Sequence, residues 1–219
     1  PASYRVMVTN PGAANCVTQE DVRTVVIPAP VVSSVMSLAV CSIADTTLQI
    51  TGANFLSILQ PALQNPTITI GSMTFPTTAS NCSAITDAPD AQLCTTLSFT
   101  VPKAALAIGS YQAVVQNPGQ DACSTRMTLN IDVVGPPTVS AVVPKVICSG
   151  GSTLNITGTN LYSGGIALIG TVPSAMMSVS AGGTMAAALF PGPLALGGPF
   201  PLTVRNQVGC EATLPSAVT

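Results

Sequence analysis

The chain repeats itself, and that constrains its fold more than any other feature. Ser3-Tyr4-Arg5-Val6-Met7-Val8-Thr9-Asn10-Pro11-Gly12 overlays Ser110-Tyr111-Gln112-Ala113-Val114-Val115-Gln116-Asn117-Pro118-Gly119. The same register carries Cys16 onto Cys123, Pro30 onto Pro137 and Cys41 onto Cys148. After a one-residue gap, Leu48-Gln-Ile-Thr-Gly-Ala-Asn-Phe55 overlays Leu154-Asn-Ile-Thr-Gly-Thr-Asn-Leu161. A third copy of the first motif places Pro102, Tyr111 and Asn117 over Pro191, Phe200 and Asn206 without a gap. A register held this far confines the chain to serial copies of one structural unit. The expected organisation is a terminal strand hairpin at 1–29, belonging to a preceding or complemented unit, then complete units at 30–136 and 137–219.

Within each unit the local pattern is β. Segments 47–51, 67–70, 97–101, 111–115 and 127–133 are short, rich in β-branched residues and mostly alternating. Asn-Pro-Gly, Pro-Gly and Gly-Gly punctuate them. No window shows helical periodicity over three turns with a cap at its start. Short strands at regular spacing between Gly/Pro turns predict an all-β chain of tandem sandwiches.

The run Pro137-Thr-Val-Ser-Ala-Val-Val-Pro144, followed by Cys148-Ser-Gly-Gly-Ser-Thr-Leu-Asn-Ile-Thr-Gly-Thr-Asn-Leu161, resembles the opening of an IPT/TIG domain. The late motif, Gly then an aromatic, Val and Asn, stands at 109–117 and again, with Phe200 for Tyr111, at 198–206. The first copy departs from the pattern, with Met36-Ser37 where Val143-Pro144 stands in the second. The resemblance implies immunoglobulin-like β-sandwiches in tandem. It says little about function, because such modules serve as spacers, binders and polymer units alike.

Of the seven cysteines, Cys16, Cys41, Cys123, Cys148 and Cys210 follow the repeat. The last unit contains only Cys148 and Cys210, equivalent to Cys41 and Cys123. The economical pairing is therefore Cys41–Cys123 and Cys148–Cys210, with Cys82–Cys94 a private pair in the first complete unit. Cys16 is left over, and its expected partner is a cysteine outside this chain. Free or metal-bound thiols are the weaker reading, because there is no CxxC and no His. Disulfides place the chain outside the cytosol, extracellular or at the cell surface. The first residue is not Met, which fits a processed or partial product.

Composition excludes several function classes. Only 6% of residues are charged, net −2, and there is no His or Trp. Nucleic-acid binding needs clustered Lys and Arg, and acid–base catalysis at neutral pH most often needs His. No catalytic, cofactor or metal site is expected. Asp87 and Asp90 are too few for Ca²⁺, which takes six to eight oxygens, and Glu20-Asp21 lacks a shaped cleft. Met176, Met177 and Met185 read as core filler. The richest apolar window, 185–198, is broken by Pro191 and Pro193 and is too short for a membrane span. Asn81 and Asn155 head N-glycosylation sequons, so covalent glycans are expected partners, with Asn81 in a loop and Asn155 in a strand.

Two features point to assembly. No formal charge stands between Lys145 and Arg205, a surface that stays soluble if sugar or neighbouring subunits cover it. In the terminal hairpin, Tyr4, Val6 and Val8 alternate with Arg5, Met7 and Thr9, giving an apolar face with no sheet of its own. The expected function is a structural, non-enzymatic subunit of an extracellular fibre, appendage or sheath, assembled head to tail from copies of itself. The alternative is a ligand-binding or adhesive ectodomain of a receptor or adhesin. An accessory module of a carbohydrate-active enzyme is weaker, because no paired aromatic platform is present.

Overall fold

The computed structural model describes residues 1–9, 17, 22–35, 39–119, 123–125, 129–207 and 209–219. All regular structure in them is β. A hairpin of β1 (Ala2–Val6) and β2 (Val22–Val26) comes first. The next nine strands are β3 (Val31–Val35), β4 (Ala39–Cys41), β5 (Thr46–Ile58), β6 (Thr67–Ile70), β7 (Met73–Pro76), β8 (Thr78–Ile85), β9 (Ala88–Val101), β10 (Gly109–Gln116) and β11 (Leu129–Val134). The last eight are β12 (Thr138–Val143), β13 (Gly151–Thr159), β14 (Ile166–Ile169), β15 (Val172–Pro173), β16 (Met176–Val179), β17 (Met185–Pro191), β18 (Phe200–Gln207) and β19 (Cys210–Val218).

Strand order identifies the fold. The first repeat forms sheets β3-β5-β9-β8 and β4-β11-β10-β6-β7, and the second forms β12-β13-β17-β16 and β15-β14-β18-β19. In the second repeat the first, second, sixth and fifth strands (β12, β13, β17, β16) form one sheet, opposed to a sheet of the fourth, third, seventh and eighth (β15, β14, β18, β19), which is the arrangement of an immunoglobulin-like sandwich. The chain is thus a tandem of immunoglobulin-like β-sandwiches. Among the described residues no sheet crosses from one repeat to the other. The compact units divide the chain differently. One comprises Pro1–Met36, Leu48–Phe99 and Gln112–Leu129; the other comprises Ser37–Thr47, Thr100–Tyr111 and Asn130–Thr219.

Alternation builds the cores. In β5, Leu48 and Ile50 point inward while Thr47 and Gln49 face out, as a half-buried strand requires. Phe75 of β7 meets Phe99 of β9 with ring centroids 6.4 Å apart. The second sandwich closes around Leu154, Ile156, Phe190, Leu202 and Val204. The outward faces carry cross-strand hydroxyl pairs: Thr47 with Thr100 (2.9 Å), Thr138 with Thr159 (2.8 Å) and Thr203 with Thr213 (2.9 Å). Of the three methionines expected in the core, Met177 is buried, whereas Met176 and Met185 are exposed on the outer face of their sheet.

The Thr-Gly-x-Asn motif has a structural cause in both repeats. A Cβ on Gly52 would sit on the carbonyl oxygen of Val31, and one on Gly158 on that of Thr138. Only glycine lets β3 lie this close to β5, and β12 to β13. Asn54 (φ 61°) and Asn160 (φ 53°) follow in the left-handed region, which Asn tolerates better than most residues.

Candidate functional site

The ends of the sandwiches carry the chain's polar and covalent machinery. Asn160 Nδ2 donates to Pro136 O at 3.2 Å, clasping the peptide that leads into the second sandwich. Asn54 Nδ2 makes the equivalent bond to Ala29 O, also at 3.2 Å, ahead of the first sandwich. The late-motif asparagines lock these clasps. Asn206 Oδ1 accepts from Tyr162 N (3.1 Å), and its Nδ2 donates to Asn160 O and Gly135 O. Asn117 Oδ1 accepts from Leu56 N (3.0 Å), and its Nδ2 donates to Asn54 O (2.9 Å). Both asparagines are buried, and their partners satisfy them.

Within the second compact unit, the tip of the second sandwich is joined to the end of the first. Gln207 Nε2 donates to Ala39 O (2.8 Å), and Tyr162 Oη donates to Asp132 Oδ2 (3.0 Å). Burial, then the hydrogen bond to Asp132 and its negative charge, raise the Tyr162 pKa above the ordinary phenol value. A disulfide between Cys41 and Cys210 closes the joint, with Cα atoms 5.5 Å apart.

That bridge corrects the expected pairing. Cys41 bonds to Cys210, not Cys123, and both Cys123 and Cys148 are free thiols. The reason is geometric. Cys41 stands beside Val134 at the end of β11, whereas Cys123 stands at the start of the returning segment, its carbonyl accepting from Asn117 N (2.8 Å). The length of β11 alone, about 17 Å at roughly 3.4 Å per residue, separates them. A disulfide needs Cα atoms closer than about 7 Å. Cys148 and Cys210 are parted likewise by the length of β19, since Ile147 N donates to Thr219 O at its far end. The private pair forms as expected: Cys82 and Cys94 are cross-strand neighbours in β8 and β9 and are bonded. Cys16 lies outside the described residues.

The remaining candidates stand apart. Asn81, expected in a loop, lies within β8 with φ 54°, exposed, its Nδ2 donating to Thr96 Oγ1 at 3.0 Å. Asn155 is exposed on β13, opposite Ala187. Met176, Met185 and Leu189 are exposed on that same uncharged outer face. Asp87 occupies the β8–β9 turn and pairs with Arg23 (3.2 Å). Glu20 and Asp21 lie outside the described residues. Among the described residues no group of three or more His, Cys, Asp or Glu could hold a metal ion. Among the described residues no helix is long and apolar enough to cross a membrane.

The terminal hairpin is the second candidate surface. Its register places Ala2 opposite Val26, Tyr4 opposite Thr24 and Val6 opposite Val22, on one face. Val6, Val8, Val22 and Val26 are 39–56% exposed, and Tyr4 is 59% exposed. The repeat equivalents of Val6, Val8 and Val26, namely Ala113, Val115 and Val133, are each 2% exposed inside the first sandwich, while those of Tyr4 and Val22, namely Tyr111 and Leu129, are half-buried.

No family model matches the chain, and no curated protein matches it. Solved structures do. SGBP-B from a complex xyloglucan utilization locus in Bacteroides uniformis is 19% identical over 87% of this chain and 49% of its own, with a TM-score of 0.34. The plexin A4 full extracellular region is 16% identical over 77% of this chain and 13% of its own, with a TM-score of 0.41. The ectodomain of mouse nectin-like molecule 4 is 16% identical over 85% of this chain and 62% of its own, with a TM-score of 0.30. The chain therefore spans about half the length of the first and about an eighth of the second.

Proposed function

We propose that the chain is a structural subunit of an extracellular fibre, appendage or surface sheath, built head to tail from IPT/TIG-type sandwiches. The observation that carries this reading is the terminal hairpin, in which Val6, Val8 and Val26 are exposed where their repeat equivalents Ala113, Val115 and Val133 are buried. Burying each such side chain is worth about 1.5–3 kcal/mol. Packing against foreign strands satisfies both the hairpin's face and its edges. A head-to-tail contact of this kind does not close on itself, so repetition gives a filament.

Other features support the same reading. Disulfides fit an oxidising, extracellular setting. Pro136 and Pro137 between the sandwiches, and Pro28 and Pro30 ahead of them, restrict bending because Pro fixes its own φ and extends the residue before it. The neutral outer face of the second sandwich is one that a glycan on Asn155 would cover. The proposed role is mechanical and not catalytic.

The test compares the full chain with residues 30–219. The full chain is expected to polymerise, while 30–219 stays a monodisperse monomer in light scattering. If both remain monomeric, and native material shows no polymer, the adhesive-ectodomain reading replaces this one.

A further inference from the structure

The two free thiols are complementary halves of the joint that Cys41 and Cys210 already make. Cys148 is the counterpart of Cys41 by sequence register and by hydrogen bonding. Val146 stands beside Thr219, held by Ile147 N to Thr219 O (2.9 Å) and Thr219 N to Lys145 O (2.7 Å), as Ala39 stands beside Asp132 in the parallel pair of β4 and β11. Cys123 is the counterpart of Cys210. Ser124 bridges Gln116 just as Glu211 pairs with Arg205, and each cysteine immediately precedes that residue. One thiol thus sits at the trailing end of a sandwich and the other at a leading tip.

The surroundings of Cys148 also point to an occupant. An apolar groove of about 80 Å³, lined by Ile147, Cys148, Leu194, Leu196 and Phe200, opens at this end. Val146 and Leu196 flank it at 76% and 86% exposure. That volume is far below the roughly 300–1,000 Å³ of a small-molecule site, and it fits a side chain or turn of another protein. At the equivalent end of the first sandwich, Cys41 and Ala44 are met by the turn at Gly209.

We infer that Cys148 of one copy and Cys123 of a second copy form a disulfide that repeats the Cys41–Cys210 joint, chaining copies head to tail. The inference rests on the fibre reading and names its covalent link. A small-molecule disulfide is the oxidant. One cysteine thiolate attacks it and releases one reduced thiol, and the second cysteine then displaces the other. Two protein thiols and one small disulfide thereby become one protein disulfide and two small thiols. Pro118 stands where Gln207 does, so the Gln207–Ala39 hydrogen bond has no counterpart, and the disulfide and groove carry the contact.

The experiment incubates the full chain in a buffer of oxidised and reduced glutathione and reads it by non-reducing electrophoresis and peptide mapping. A 1:1 mixture of isotopically light and heavy chains marks bonds between copies. The expected result is a ladder of covalent oligomers whose mixed-isotope linkage is Cys123–Cys148. Cys123→Ser and Cys148→Ser should each abolish the ladder alone and, mixed together, give dimers only. No mixed-isotope linkage in the wild-type chain, or one joining Cys148 to Cys16 or to another Cys148, overturns the inference. Electron microscopy of the doubly substituted Cys123→Ser/Cys148→Ser chain separates the two readings. Filaments without the ladder leave the fibre reading standing and sink the covalent link.

Discussion

Two asparagines and a glycine per repeat do the local work. Asn206 satisfies a backbone N–H and two backbone carbonyls from a buried position. Asn206→Ala would strand these groups and is expected to cost about 1–3 kcal/mol in denaturant unfolding. Gly158→Ala forces β12 off β13 and is expected to cost as much or more, read by the same experiment. Tyr162 gives a pH signature. Its pKa is raised in the fold, so its contribution to stability is present below the unfolded phenol value and is lost as pH rises through the folded one. As pH rises above the ordinary phenol value of about 10, the wild-type chain should lose more stability than Tyr162→Phe. Equal losses would show that the bond to Asp132 carries no such linkage. The Thr-Gly-x-Asn pattern was legible as a repeat. Its meaning was not, because a left-handed asparagine and a strand crossing over a glycine are tertiary facts that one strand's sequence does not contain.

At the scale of elements, strand type was readable because alternation and β-branching act locally. The partners of the cysteines were not. The repeat showed correctly that Cys41 matches Cys148 and that Cys123 matches Cys210, but matching says nothing about which end of a sandwich each occupies. Non-reducing peptide mapping should recover Cys41–Cys210 and Cys82–Cys94; recovery of Cys41–Cys123 would contradict the joint. The first bridge spans 169 residues, for which loop closure implies about 5 kcal/mol. Cys210→Ser should therefore lower stability by several kcal/mol. The hairpin is a separate element-scale test. Val6→Asp places a charge on its apolar face and should block polymerisation without altering the far-ultraviolet circular dichroism of the sandwiches.

For the whole molecule, scarcity of charge is the organising fact. Threonine pairs line the sheet faces beside the Arg205–Glu211 ion pair of β18 and β19, and uncharged surface carrying Met176, Met185 and Leu189 lies open around Asn155. The sequence made the neutral stretch visible but not its face, since Met176 and Met185 read equally well as core until β16 and β17 were placed. The central claim is that such chains join end to end through unclosed sandwich ends. Negative-stain electron microscopy of the purified full chain under mildly oxidising conditions tests it most directly. Head-to-tail assembly predicts unbranched filaments, shortened or lost in Val6→Asp. A field of discrete, equally sized particles at every concentration would contradict it.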